Sequence, residues 1–314
     1  MAATAPSVVI LATGGTIAGR AADAGDNVGY QAAEIGVDQL VAAVPGLARR
    51  AGRLEAEQLA QLDSKDMDFA TWQRLARRVA EQLARADVAG VVITHGTDTL
   101  EETAYFLQRV LAPSKPVVLT AAMRPATALL ADGPQNLLDA VTLASDANAT
   151  GVLVAFAGSV YDATQVRKVH SYRVDAFASA EGARLAVVEE GVVRWLARGA
   201  APLPALGLAR IARDAAAWPR VQIVLNHVGA DGAVVRALSA QGGVDGIVVA
   251  GTGNGTLATP LAAALREAEA AGVRILRSTR CDAGPVSALA GALPSAGALG
   301  PVKARVELLL ELLA

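Results

Sequence analysis

Apolar and polar positions along this 314-residue chain fall into two alternating patterns. Short β-branched runs read as strands: "SVVILA" from Ser7, "GVVIT" from Gly90, "PVVLTA" from Pro116 and "GVLVAF" from Gly151, then "VQIVLN" from Val221, "GIVVAG" from Gly246 and "VRILRS" from Val273. Helical stretches lie between them. Phe69, Trp72, Leu75, Val79 and Leu83 recur at steps of three and four, which predicts one apolar helix face with Asp68 as its N-cap. Leu100 to Leu111, Gly133 to Ala147, Leu257 to Ala271 and Val302 to Leu312 also read as helices.

Strands alternating with helices predict an α/β fold: a larger N-terminal domain with a mostly parallel sheet plus a smaller C-terminal α/β domain. The stretch "ARGAAPLPALGLARIARDAAAWP", residues 197–219, breaks the alternation with three prolines and reads as the connection. The expected division is therefore 1–196, a linker over 197–218, and 219–314. No internal repeat is visible, and the Ala-rich tracts read as helix surface and close packing.

Composition narrows the class. Hydrophobic residues make up 53% and charged residues 18%, a globular balance rather than a disordered one. The formal net charge of −2 offers no basic field for nucleic acid or an anionic membrane, so neither is expected as a partner. The single cysteine, Cys281, rules out an intramolecular disulfide and leans toward a reducing compartment. The start "MAATAPSVVILATGG" lacks the basic region and full apolar stretch of a signal peptide, and no apolar run reaches the ~20 residues of a membrane span. A cytoplasmic protein is expected, or a periplasmic one had a leader been removed.

Candidate chemistry sits at strand ends. The first strand runs into Gly14-Gly15-Thr16-Ile17-Ala18-Gly19, where a dinucleotide turn would need glycine in place of Thr16. No Gly-Lys-Ser/Thr follows, so a phosphate loop fails too. A hydroxyl among amide donors at the carboxyl end of a parallel strand suits nucleophilic attack on a carbonyl; the ordinary alternative is a threonine bonding locally in a turn. The second strand ends in "ITHGTDTLEETAYFL", crowding Thr94, His95, Thr97, Asp98 and Thr99 at the same kind of edge. Asp98 or Thr99 as a plain N-cap is the competing reading. His95, His170 and His227 stand at no metal-ligand spacing, so no metal is expected and His95 reads as structural.

"ILATGGTIAG" together with "VVITHGTDTLEETAYFL" resembles both signature motifs of the bacterial-type L-asparaginases. "DSKDMD" from Asp63, "AAMRPATALLADGPQNL" from Ala121, "AGTGNGTLA" from Ala250 and "PVKARVELLLEL" from Pro301 are similar to further landmarks of that family, in family order. The resemblance implies two domains, a homotetramer of intimate dimers, and Thr16 as nucleophile. It implies that Tyr30, on the glycine-flanked loop "AGDNVGY", closes over the substrate and orients Thr16. Ser64 would hold the substrate α-carboxylate and Asp98 its α-ammonium, with Gly15, Asp63, Gly96 and Thr97 completing the substrate pocket. Thr97, Asp98 and Lys168 match the family's second triad, Lys168 being expected as buried, and Asn254 would reach into a neighbour's site. Two departures stand out: Lys65 beside Ser64, and a segment from Asp282 to Glu307 with no carboxylate between, where relatives supply a partner glutamate to the ammonium.

The implied activity is hydrolysis of L-asparagine to L-aspartate and ammonia through a threonine acyl-enzyme, with weak glutaminase activity. No metal or organic cofactor is expected, since amide hydrolysis needs a nucleophile, proton transfer and charge stabilisation. Two rivals share the fold: a non-catalytic amino-acid-binding protein, and the related subunit of a tRNA-dependent amidotransferase. The first is disfavoured by Thr16, Thr97, Asp98 and Lys168 standing together; the second would carry an added N-terminal module and a basic surface.

Overall fold

The computed structural model describes residues 6–179, 182, 184–199, 203–240 and 242–314. It divides into two compact units, Met1–Leu208 and Ala209–Ala314, which part inside the stretch read as the connection. Residues 200–202 of that stretch, and the first five of the chain, lie outside the described residues.

The first unit holds strands β1 (Ser7–Gly14), β2 (Arg53–Leu62), β3 (Val88–Thr94), β4 (Val117–Thr120), β5 (Val152–Phe156), β6 (Ser159–Asp162), β7 (Val166–Lys168), β8 (Phe177–Ser179), β9 (Ala186–Glu189) and β10 (Val192–Trp195). Its helices are α1 (Val37–Ala42), α2 (Leu47–Ala51), α3 (Phe69–Ala84), α4 (Leu100–Leu111) and α5 (Gly133–Ala144). Eight strands form one sheet in the order β10-β9-β6-β5-β4-β3-β1-β2, and β7 pairs with β8 as a separate ribbon. Strands β2 through β5 lie parallel around β1, while β6, β9 and β10 run antiparallel. The expected mostly parallel sheet is thus present, with an antiparallel flank.

Burial explains which strands form the centre. Every residue of β1 is buried. Val8, Ile10 and Ala12 pack into one layer with Val92, Val118 and the α5 residues Leu137, Ala140 and Val141, while Val9 and Leu11 are equally covered on the opposite face. Such strands read as continuous apolar runs. On α3, Trp72, Leu75 and Val79 are buried as the spacing predicts, Trp72 stacks on Phe106 of α4, and the Asp68 carboxylate accepts from Thr71 N at 2.7 Å. The helix expected to run to Ala147 stops at Ala144. There Ser145 Oγ donates back to Val141 O, and the Asp146 carboxylate accepts from Asn148 N, turning the chain.

The second unit holds β11 (Val221–Leu225), α6 (Ala233–Ala240), β12 (Gly246–Gly251), α7 (Thr259–Ala270), β13 (Arg274–Thr279) and α8 (Pro301–Leu312). Its three strands form a parallel sheet in the order β11-β12-β13. Helix α8 packs on all three strands, close enough that Leu308 and Leu312 lie against Gly246, where a side chain would intrude.

Candidate active site

Strands β2 and β3 flank β1 on opposite sides, so the strand order reverses direction at β1. In open parallel sheets the crevice at the carboxyl ends beside such a reversal is where ligands bind. Three turns leave the sheet there, carrying Thr16 after β1, Ser64 after β2, and Thr97 with Asp98 after β3.

These turns interlock through glycine. Gly14 and Gly15 take φ of 106° and 82°, a region other residues rarely enter. A Cβ on Gly15 would lie 2.4 Å from Gly96 Cα, and one on Gly96 would lie 2.4 Å from Ser64 Oγ. Backbone therefore rests on backbone. Gly15 N donates to Leu62 O at 2.9 Å, Asp98 N donates to Ser64 Oγ at 3.2 Å, and Thr99 Oγ1 donates to Ser64 O at 2.7 Å. Thr99 holds the N-cap position of α4, but its hydroxyl serves the Ser64 turn instead of capping the helix. Thr99 is thus an N-cap by position but not by its side chain, and the Asp98 carboxylate accepts from Lys168 instead of capping the helix.

Thr16 opens a short 3-10 turn, Thr16–Ala18, and is only 7% exposed. Tyr30 Oη lies 2.6 Å from Thr16 Oγ1. Tyr30 is delivered by a loop whose stem is closed by Arg20 and Gln31, each donating its backbone N to the other's carbonyl, at 2.8 and 2.9 Å. Within the loop the Asp26 carboxylate accepts from Gly29 N and Val28 N, which holds its pKa below the ordinary carboxylate range. A second loop clasps it: Ala126 N donates to Gly19 O at 3.0 Å, Ala21 N to Thr127 Oγ1 at 2.9 Å, and Leu129 N to Ala24 O at 3.2 Å. Asp132 anchors that second loop by accepting from Met123 N and Arg124 N. Burial pushes the Asp132 carboxyl upward, against those N–H bonds. Thr127 and Asp132 lie within the quoted "AAMRPATALLADGPQNL" motif, yet no chemical pattern in the sequence singles them out.

Lys168, at the end of β7, donates to Thr97 Oγ1 at 2.9 Å and to Asp98 Oδ1 at 2.6 Å. The β7–β8 ribbon sets its position, pairing Lys168 with Phe177, whose ring packs on Phe156 at 4.8 Å. The expectation that Lys168 is buried needs correcting: its side chain is 19% exposed and that of Asp98 53%. The three-residue ribbon shields the lysine stem and leaves the carboxylate facing outward.

His95 is structural. It is wholly buried, Thr103 Oγ1 stands 3.0 Å from Nε2, and Nδ1 lies 2.7 Å from Gly96 O. Trp72 Nε1 donates to Thr103 Oγ1, leaving that hydroxyl's proton for Nε2 and placing the ring proton on Nδ1, where it donates to Gly96 O. Desolvation pushes its pKa down to about 4 against that carbonyl's pull, so the ring is neutral. Among the described residues no group of three or more His, Cys, Asp or Glu side chains is arranged to hold a metal ion.

Asp63 N-caps the Ser64–Asp66 turn, its carboxylate accepting from Lys65 N. Lys65 turns its ammonium to Asp66 at 2.6 Å and to Asp63 at 3.2 Å. Asn254 lies in the second unit, on the loop after β12, where its Oδ1 accepts from Ser287 N at 2.8 Å.

Comparison with known proteins agrees with this architecture. Residues 7–200 match the family model "Asparaginase, N-terminal" and residues 220–313 match "Glutaminase/Asparaginase C-terminal domain". The chain is 41% identical to a glutaminase-asparaginase of Pseudomonas fluorescens biotype A, covering 88% of this chain and 76% of that protein. It is 38% identical to L-asparaginase 2 of Escherichia coli strain K12, over 98% of this chain and 89% of the other. The crystal structure of a probable cytoplasmic L-asparaginase from Campylobacter jejuni superposes with a TM-score of 0.90 at 39% identity, covering 98% of this chain and 95% of that one. The chain belongs to the asparaginase family, whose fold it has.

Proposed function

We propose that this protein is an L-asparagine amidohydrolase working through a threonine acyl-enzyme. The observation that carries the reading is the pair of hydroxyl centres on neighbouring strand ends: Thr16 against Tyr30, and Thr97 against Lys168 and Asp98. Ser64 receives the α-carboxylate and Asp98 the α-ammonium, with Gly15, Gly96 and Asp63 shaping the floor. Thr16 Oγ1 attacks the side-chain amide carbon, its proton passing by way of Tyr30. The Thr97 N–H and a neighbouring water stabilise the oxyanion. The carbon–nitrogen bond breaks and ammonia leaves with the proton. Water activated beside Thr97 and Lys168 then hydrolyses the ester, returning Thr16 and L-aspartate.

Relatives named both L-asparaginase and glutaminase-asparaginase support the amide substrate class. An ammonia-release assay across L-asparagine, L-glutamine and D-asparagine tests the reading; no release from L-asparagine would overturn it. The assembly we infer is a homotetramer of intimate dimers, to be checked by light scattering for four chain masses. For compartment, likeness to the probable cytoplasmic protein of C. jejuni supports the cytoplasm. Recovery in a periplasmic extract would overturn that. Among the described residues no helix is long and apolar enough to cross a membrane.

A further inference from the structure

Arg277 is an arginine in an unexpected place. It lies on β13, is 4% exposed, and among the described residues no carboxylate pairs with it. Its Nε has no partner at all. Burying a guanidinium without a counter-charge is costly, and carbonyl oxygens offset only part of that cost. The carbonyls it uses are therefore informative.

Nη1 donates to Asn254 O at 3.0 Å and to Gly255 O at 3.3 Å, and Nη2 donates to Ser287 O at 2.9 Å. One strand turn away, Thr279 Oγ1 donates to Gly253 O at 2.6 Å. Two β13 side chains thus hold three successive carbonyls of the loop tip. Below the tip, Thr252 and Thr256 exchange backbone hydrogen bonds at 2.9 and 2.7 Å, and their hydroxyls meet at 2.9 Å. Asn226, 5% exposed, accepts from Ala258 N and secures the loop's exit. Gly255, at φ 72°, lies so close to Val286 and Arg277 that a Cβ would meet them at 2.9 and 3.1 Å. A five-residue tip clamped at every carbonyl is preorganised to present one side chain, Asn254, which is exposed.

The same clamp sets the polarity of that side chain. Arg277 fixes the Ser287 carbonyl while Ser287 N donates to Asn254 Oδ1. An N–H can be met only by the carboxamide oxygen, so the –NH2 faces outward. We propose that Arg277 is a positioning residue that presents Asn254 as a hydrogen-bond donor, for a carboxylate or carbonyl oxygen of the substrate, and not as an acceptor for its ammonium. This rests on the asparaginase reading above and on the family resemblance, which implies that Asn254 reaches into the site of a neighbouring copy.

The test compares Asn254→Asp, Asn254→Ala, Arg277→Met, Arg277→Lys and the double variant Arg277→Met/Asn254→Ala, each checked for its melting curve. Asn254→Asp keeps the acceptor for Ser287 N–H and deletes the donor. It is expected to raise KM for asparagine at least as far as Asn254→Ala, about tenfold or more, corresponding to one hydrogen bond to a charged group. An Asn254→Asp enzyme with wild-type KM would overturn the donor assignment. Arg277→Met is expected to reproduce the KM rise of Asn254→Ala and to add nothing to it in the double variant, with partial rescue by Arg277→Lys; additive effects would show a merely structural arginine. Hydrogen exchange at the Ser287 amide reads the orientation without any turnover. Protection retained in wild type and Asn254→Asp but lost in Asn254→Ala supports it, and equal exchange in all three overturns it. A wild-type protein that releases no ammonia while passing the exchange test would sink the functional reading alone.

Discussion

Tyr30 Oη and Thr16 Oγ1 are 2.6 Å apart, and the loop carrying Tyr30 is held by its stem and by its clasp on the Thr127 loop. A phenol at that distance can take or return the Thr16 proton. Thr16→Val keeps the volume and removes the hydroxyl, so turnover is expected to fall by several orders of magnitude with the fold intact. Tyr30→Phe is expected to cost ~10²–10⁴-fold, the usual scale of proton-transfer catalysis. A folded Thr16→Val enzyme keeping more than about a tenth of wild-type turnover, a loss under ~1.4 kcal/mol, would remove Thr16 from the mechanism.

Lys168→Met separates catalysis from stability. With Asp98 more than half exposed, the broken pair resembles a surface bridge and is expected to cost ~1 kcal/mol or less in urea unfolding. Turnover is expected to fall ~10²–10⁴-fold, because Thr97 Oγ1 loses its partner. Unchanged kinetics would show Lys168 to be a bystander.

Mixed assemblies test whether a site needs two chains. Thr16→Val and Asn254→Ala proteins, mixed, allowed to exchange subunits and assayed at asparagine far below the raised KM of Asn254→Ala, are expected to release more ammonia than the two parents kept apart. Mixed dimers that form and release no more than the parents would confine the site to one chain.

Selectivity is expected to follow from residues 283–306, which contain neither Asp nor Glu. Glutamine's extra methylene pushes its backbone end outward, where a carboxylate from that segment would have met the ammonium. Asparagine is expected to exceed glutamine in kcat/KM by more than tenfold. A smaller ratio would mean this segment does not set the preference.

The pH dependence of stability has a separable component at Asp139. This carboxyl is 3% exposed on α5, and burial raises its pKa from 3.8 to about 6, against the Gln135 hydrogen bond. The fold therefore binds this proton more tightly than the unfolded chain does. The cost is absent below about pH 4, grows as pH rises to about 6, and then stays level, reaching roughly 3 kcal/mol. Asp139→Asn keeps an oxygen for Gln135 and is expected to be more stable than wild type at pH 7 but not at pH 4. Buried neutral His95 has the opposite slope, its contribution being full above about pH 6.5 and lost as pH falls toward 4. Both proteins carry His95, so that slope cancels in their difference. A difference that does not change between pH 4 and 7 in urea titrations would refute the assignment.

The seven strands legible in the sequence are β1, β3, β4 and β5 of the larger sheet and β11, β12 and β13 of the smaller one, each a β-branched run in parallel pairing. Strand β2 is hidden for the opposite reason. It is a sheet edge of Glu, Gln, Ala and Leu, with Glu55 and Glu57 tied to Arg85 and Arg78, and charge on an edge erases the apolar signal. The β5–β6 and β9–β10 hairpins turn on Ala157-Gly158 and Glu190-Gly191, all four at positive φ. Only Asn-Gly or Asp-Gly would have announced such turns. Thr16, Tyr30, Ser64, Thr97, Asp98 and Lys168 were reachable through motif resemblance. The half-exposure of Asp98 beside Lys168 and the purpose of Arg277 depend on side chains brought together from distant segments, which no local pattern encodes.

The Gly15–Gly96 contact limits how this site can diversify. With Cα lying on Cα and Ser64 beneath, the wall between the Thr16 and Asp98 turns offers no direction in which a new side chain could grow without prising two strand ends apart. Changes of substrate range, whether by natural drift or in the laboratory, must therefore enter from the rim: from the 24–30 loop, whose Val28 is 77% exposed, and from Lys65 on its short turn. The floor has no room for a new side chain, and variation is confined to its edges.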